Sequence, residues 1–244
     1  MVWFVFFQTS VLMINPVIST QTKPTTPTKP SQATRKRLID ATARLFAQHG
    51  YNGLTLRSVA REANANLAAA NYHFGSKDAM VLEMLRERVQ PINSRRLELL
   101  ELAKREKEGQ PLEAHEIFHS LIFPIGEEIS RSTQSRCSLA QLVARTFTEP
   151  ARFIERMHQR FFSQIAEIYF RELSLAYPLA PSHEIYWHLH LAISSMLGAL
   201  AQHRRLDAFT QGVCSEEQVE EMIGRLIQFV THGFDQGIRS SFEQ

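Results

Sequence analysis

Residues 55–80 read TLRSVAREANANLAAANYHFGSKDAM, two short helices with a tight polar turn between them and a strong helix start behind them. Thr55 stands where a side-chain oxygen caps the free amides of a first turn, and Leu54 and Val59 occupy the two positions of a hydrophobic staple around it. Leu56, Val59, Ala60 and Ala63 recur at i, i+3, i+4 and i+7, one apolar stripe on a helix of about two and a half turns. Arg57, Ser58, Arg61 and Glu62 fall on its wet side. Asn64-Ala65-Asn66 follows. Asparagine tolerates the left-handed conformation that reverses a chain, and Asn66 is placed to cap what comes next.

The second helix runs from Leu67 to Phe74. Leu67, Ala70 and Phe74 share one side, which leaves Ala68, Ala69, Asn71, Tyr72 and His73 on a slim outer surface. A helix about 10–12 Å across must fit a major groove about 12 Å wide, so alanines at 68 and 69 suit close approach, and their methyls match thymine methyls. The Asn71 amide both donates and accepts, the pattern of the adenine N6 and N7 edge. Tyr72, His73 and Lys77, with the helix-start amides near Thr55 and Ser76, offer donors to phosphate oxygens. The DNA-contacting set read from the chain is Thr55, Arg57, Asn66, Leu67, Ala68, Ala69, Asn71, Tyr72, His73 and Lys77. Paired short helices also occur in helical proteins that bind no DNA, so spacing alone leaves both readings open.

Residues Thr34 to Met80 resemble the DNA-binding headpiece of the TetR family of bacterial one-component transcription regulators. The resemblance is carried by Leu45-Phe46, by Gly50-Tyr51, by Thr55-Leu56-x-x-Val59-Ala60 and above all by Asn71-Tyr72-His73-Phe74-Gly75-Ser76-Lys77. One departure is Asn64, where the family usually has glycine; asparagine adopts positive φ at modest cost. The rest of the chain is similar only in its helical plan and length. The resemblance implies a homodimer formed through Ser182 to Arg205 and Ser215 to Phe234, a palindromic operator of double-stranded DNA, and a small-molecule effector that lowers operator affinity. It implies no effector identity.

Composition agrees with a globular protein: 244 residues, 44% hydrophobic and 21% charged. The net charge of +2 carries no message, but Arg35, Lys36, Arg37, Arg44, Arg57, Arg61 and Lys77 outnumber Asp40, Glu62 and Asp78 in the headpiece, the surplus that phosphate attraction requires. Cys137 and Cys214 stand far apart, without disulfide or zinc-finger spacing, which fits a reducing cytoplasm. Residues 1–33 combine a broken apolar run with a Thr, Pro and Lys stretch and are expected to be a disordered extension. The apolar run is too short and too interrupted for a membrane span and lacks the basic start of a secretory signal, so no membrane association is expected. Met13 offers a start in place of Met1, which an intact mass of the natively expressed protein decides.

From Thr34 onward the pattern is all-α: a three-helix headpiece over 34–80 and a helical sensing and dimerisation domain over 81–244. Helix one is expected over Thr34 to His49, burying Leu38, Ile39, Thr42, Leu45 and Phe46 and ending at Gly50. A fourth helix starts at Ser76 and is expected to end or bend at Pro91. Further helices are expected near 92–107, 112–131 with a kink at Pro124, and 137–148, then a long one after Pro150. Two last helices cover Ser182 to Arg205 and Ser215 to Phe234, the latter opened by a Ser215/Gln218 capping box.

Aromatics and histidines crowd residues 112–200, and a small-molecule pocket is expected from His115, Phe118, His119, Phe147, Phe161, Tyr169, Trp187 and His188. Most such aromatics serve as plain core in helical bundles. His115 and His119 lie one turn apart, but no further ligand accompanies them, so no metal is expected. No phosphate-cradling loop, nucleophile elbow or metalloprotease helix occurs, and neither a cofactor nor an enzymatic activity is expected. Two rivals remain: a helical ligand-binding or partner module without DNA binding, and a sensor tethered to a membrane through residues 2–18.

Overall fold

The computed structural model describes residues 29–131, 142, 149, 151–214 and 219–241. Residues 1–28 of the expected 1–33 extension, the helix expected at 137–148 apart from residue 142, and the Ser215/Gln218 box lie outside these residues; residues 29–33 of the extension are helical, since the first helix starts at Lys29 and not at Thr34. Among the described residues the regular elements are helices: α1 (Lys29–His49), α2 (Leu56–Glu62), α3 (Leu67–Phe74), α4 (Lys77–Glu106), α5 (Ala114–Arg131), α6 (Ala151–Phe161), α7 (Ser163–Ala176), α8 (Ser182–Thr210) and α9 (Val219–Ser240).

Two apolar cores organise them. The first gathers Leu38, Phe46, Leu54, Val59, Ala70 and Met80 from α1 to the start of α4, and it also takes in Phe153 and Met157 of α6. The second is built from α5, α7, α8 and α9 around Phe118, Ile122, Tyr169, Leu189 and Phe234, with Ile92 and Leu100 of α4. Thus α4 belongs to both: Leu85 sits in the first core and Ile92 in the second.

The expected break at Pro91 does not occur; α4 runs on unbroken to Glu106 and absorbs the helix expected at 92–107. Pro91 lies on the exposed side, where its ring points away from the cores and a slight opening of the helix costs least. Its neighbours Met84, Leu85, Ile92 and Leu100 hold one buried stripe through the proline. After Pro150 the expected long helix is two, α6 and α7, parted at Phe162 with φ −124° and ψ −23°. Pro124 lies inside α5, buried beside Gly126. A Cβ on Gly126 would press on Ile223, so this glycine permits the close approach of α9 to α5.

Candidate nucleic-acid interface and its linked cavity

The helix-turn-helix is held by its own polar side chains. Thr55 Oγ1 accepts from Ser58 N at 3.0 Å while Ser58 Oγ accepts from Thr55 N at 3.0 Å, closing a reciprocal cap on α2. Asn64 has φ 48°, in the left-handed region that reverses the chain between α2 and α3. Asn66 Oδ1 accepts from Ala69 N at 2.6 Å, and Ser76 Oγ accepts from Ala79 N at 3.1 Å. Gly75 ends α3 at φ 69°. Each reversal is thus made by the residue type whose backbone or side chain allows it.

Burial of Val59, Ala60, Ala63 and Ala70 fixes which face of α3 looks out. Ala68, Asn71 and Tyr72 are exposed, Tyr72 to 77%, and Ala69 and His73 are half-buried beside them. Thr55, Arg57 and Asn66 are exposed on the same motif. Leu67, expected on the inner side with Ala70 and Phe74, is 37% exposed, because it opens a short helix where little covers its first turn. Burial and the nearby Arg35 lower the His73 pKa from its ordinary value.

Lys77, read from the chain as a phosphate donor, makes contacts within the headpiece. Its Nζ donates to Tyr51 O at 3.1 Å and lies over the Tyr51 ring, 4.0 Å from the centroid. The ammonium therefore ties the start of α4 to the end of α1. Lys77→Ala is expected to lower stability by about 1 kcal/mol through loss of the cation–π contact and its hydrogen bond; urea unfolding followed by circular dichroism measures this, and an unchanged midpoint would return Lys77 to a purely DNA-facing role.

Below the headpiece lies a cavity of about 200 Å³, walled by α4, α5, α6, α7 and α8. Its lining is apolar for the most part, with Leu85, Met157, Ile193 and Met196 among the walls and Arg88, Arg96, His158, Tyr169, Tyr186 and His190 as polar groups. Burial lowers the His158 pKa and raises that of Tyr169 to about 12. Tyr169 Oη lies 3.0 Å from Ser120 Oγ and donates to Arg96 O at 3.4 Å.

Of the residues expected to form a pocket, Tyr169 lines this cavity. The other described ones stand elsewhere. Phe118 is fully buried in the second core against Phe234, centroids 5.3 Å apart. His188 packs on the same Phe234 ring at 5.8 Å. His115 is exposed, and His119 stacks on Phe123 at 4.7 Å. Trp187 is 48% exposed on the outer face of α8, and Phe161 is half-buried against the first core. Phe147 lies outside the described residues. Among the described residues no group of three His, Cys, Asp or Glu side chains is arranged to hold a metal ion, and no helix is long and apolar enough to cross a membrane.

Cavity and headpiece share α6. Its Ile154, Met157 and His158 line the cavity, while Phe153 stacks on Tyr51 at 4.7 Å and Arg156 Nη1 donates to Asp78 Oδ2 at 2.6 Å. Asp78 also accepts from the Tyr51 hydroxyl, and the Glu149 carboxylate accepts from Tyr51 N at 3.1 Å. At the other end of α6, Phe161 O accepts from Asn93 Nδ2 of α4 at 2.8 Å. These contacts were not legible as a set, since they join residues up to 98 positions apart.

Residues 38–84 match the family of bacterial regulatory proteins called the tetR family, and residues 119–233 match the tetracyclin repressor-like C-terminal domain. The HTH-type transcriptional regulator BetI of Agrobacterium fabrum is 42% identical over 52 residues, 21% of this chain and 25% of that protein. The HTH-type transcriptional repressor AcnR of Corynebacterium glutamicum is 34% identical over 59 residues, 24% of this chain and 31% of that protein. Each match spans less than a third of the relative's own length. A transcriptional regulator from Rhodococcus sp. Rha1 has the same fold, with a TM-score of 0.53 at 20% identity, covering 82% of this chain and 96% of that one. With its reader and its C-terminal half both matched, the chain belongs to the TetR family of bacterial regulatory proteins.

Proposed function

We propose that the protein is a DNA-binding transcriptional repressor that binds a palindromic operator as a homodimer and lets go when a small molecule fills the cavity. The observation that carries this reading is the outer face of α3, with Ala68, Asn71 and Tyr72 exposed on a helix slim enough for a major groove. Asn71 reads a base edge, and Tyr72 and His73 position the helix on phosphates, with Thr55, Arg57 and the capped amides of α2 alongside.

Dimerisation through α8 and α9 is supported by apolar side chains turned to the outside. Trp187 and Leu191 lie one turn apart on α8, Leu206 and Phe209 follow on the same helix, and Phe229 is 68% exposed on α9. Exposed apolar residues at this density on two neighbouring helices are what an isologous two-fold interface covers. A two-fold pair places two copies of α3 on successive major-groove half-sites.

The effector step follows from the shared helices. A molecule in the cavity presses on Leu85 and Met157, which are also members of the headpiece core. Moving α4 and α6 together changes where each α3 stands relative to its twin. Coupling of this kind is reciprocal, so operator DNA weakens effector binding by the factor that effector weakens operator binding.

Selection of genomic fragments by the purified chain, followed by fluorescence anisotropy across a salt series, tests the reading. Asn71→Ala is expected to cost about 1–3 kcal/mol on the selected site and to relax specificity at one base pair in each half-site. A monomer indifferent to duplex DNA at low salt would overturn the proposal.

A further inference from the structure

Among the described residues the cavity holds a buried cation without an ion-pair partner. Arg96 of α4 is 4% exposed and lines the cavity. Its Nε donates to Leu121 O at 2.8 Å and its Nη1 to Asn93 Oδ1 at 2.9 Å, both neutral acceptors. Among the described residues no acceptor engages Nη2 and no carboxylate pairs with the guanidinium. The contrast with the buried carboxylate nearby is direct: Glu172, also 4% exposed, is paired with Lys104 at 3.1 Å. Burial lowers the Arg96 pKa to about 10, which leaves it charged at neutral pH. A buried charge is costly unless it is paired, and a guanidinium binds planar oxyanions best.

The walls point the same way. None of the described lining residues is acidic, and the other polar groups among them are Arg88, two histidines and two tyrosines. The remainder of the lining is aliphatic or aromatic, including Met157, Ile193, Met196 and Leu197. A cationic molecule would meet a fixed positive charge in a low-dielectric site, and a wholly apolar one would leave Nη2 unsatisfied.

We propose that the effector is an amphipathic carboxylate, whose oxygens accept from Nη2 of Arg96 while its apolar body occupies the cavity. This rests on the reading of the cavity as the effector site. An oxyanion at Arg96 also competes for Nη1, and so for Asn93, which bridges Arg96 to Phe161 O at the end of α6. The carboxylate thereby reaches the helix that carries Phe153 and Arg156 to the headpiece.

Isothermal titration of the purified full chain with decanoate, naphthoate, decan-1-ol and decylamine tests this without DNA. One acid molecule is expected per chain, with affinity at least tenfold above decan-1-ol and no saturable decylamine binding. Arg96→Met is expected to bring decanoate and decan-1-ol to equal affinity, while Arg96→Lys keeps the preference for the acid. Should Arg96→Met fail to fold, the selectivity of the natural chain and of Arg96→Lys decides. Equal affinity for acid and alcohol in the natural chain, preference for the amine, or no saturable binding of either acid overturns the proposal. Operator release is read separately by anisotropy: an acid that binds yet leaves the DNA complex intact removes the effector role and leaves the anion site standing, whereas failure of both acids to bind removes the anion site and leaves the DNA reading untouched.

Discussion

Phe118→Ala is expected to lower the free energy of unfolding by about 3–5 kcal/mol, the cost of truncating a buried aromatic whose surroundings do not collapse. The ring is fully buried on α5 and meets the edge of Phe234 on α9 at 5.3 Å. Phe234 is in turn held by Tyr177 at 5.3 Å and by His188 at 5.8 Å. Four rings thus share one site where α5, α8 and α9 meet the end of α7, and removing the Phe118 ring leaves a void that no neighbour can fill without giving up its own contacts. The void is lined by apolar surface, so water does not repair it.

Urea unfolding followed by circular dichroism measures the loss, with His115→Ala, an exposed site on the same helix, expected to stay within about 0.5 kcal/mol. A change below about 1 kcal/mol at Phe118 would mean that the second core is far looser than its burial implies. The same variant separates packing from ligand binding: Phe118 does not line the cavity, so its truncation leaves effector affinity per folded chain unchanged.

Phe118 shows why part of the sensor half was legible in the chain and part was not. That residues 112–200 hold a dense set of aromatics and histidines is plain from the letters, but which of them face a void depends on how five helices turn relative to one another. Arg96 is the sharpest case. It stands beside Arg95 in a charged run, SRRLELLELAKRE, that reads as a solvated face. Arg95 behaves so, pairing with Glu98 and Glu127 at 2.9 Å, while Arg96 turns inward. One signal was available: Ile92, Arg96 and Leu100 follow at i, i+4 and i+8, which sets the arginine in the apolar stripe of a helix that continues past Pro91. The stripe lies within the helix expected near 92–107, but the charges around it drew the reading to the wet face.

The headpiece was legible because its constraints are local. Thr55, Asn64, Asn66 and Ser76 each act on backbone within three or four residues, so their roles survive any rearrangement of the helices around them. The tie made by Lys77 was hidden for the opposite reason: its partner Tyr51 lies 26 positions away and reaches it only after α1 and α4 have packed.

Ala68→Glu is expected to abolish operator binding, with a loss of about 3 kcal/mol or more on every duplex, since like charges brought face to face at an interface cost several kcal/mol. Ala68 is exposed on the outer face of α3, between the capped start of the helix and Asn71. The carboxylate would enter the groove walls where phosphate charge is concentrated, and its extra methylenes would hold the helix off the base edges that Asn71 is proposed to touch. Stability should hardly change, because glutamate is a good helix former, the site is exposed, and a negative charge in the first turn of α3 favours the helix dipole. Anisotropy with the selected operator measures the first effect and thermal unfolding the second. Because the proposed dimer presents two copies of α3, mixed dimers in which only one subunit carries Ala68→Glu should still bind half-sites weakly and lose the cooperative gain of the pair. If Ala68→Glu binds the operator as tightly as the natural chain while Asn71→Ala does too, α3 does not enter a groove, and the DNA contact must be sought on another face of the headpiece.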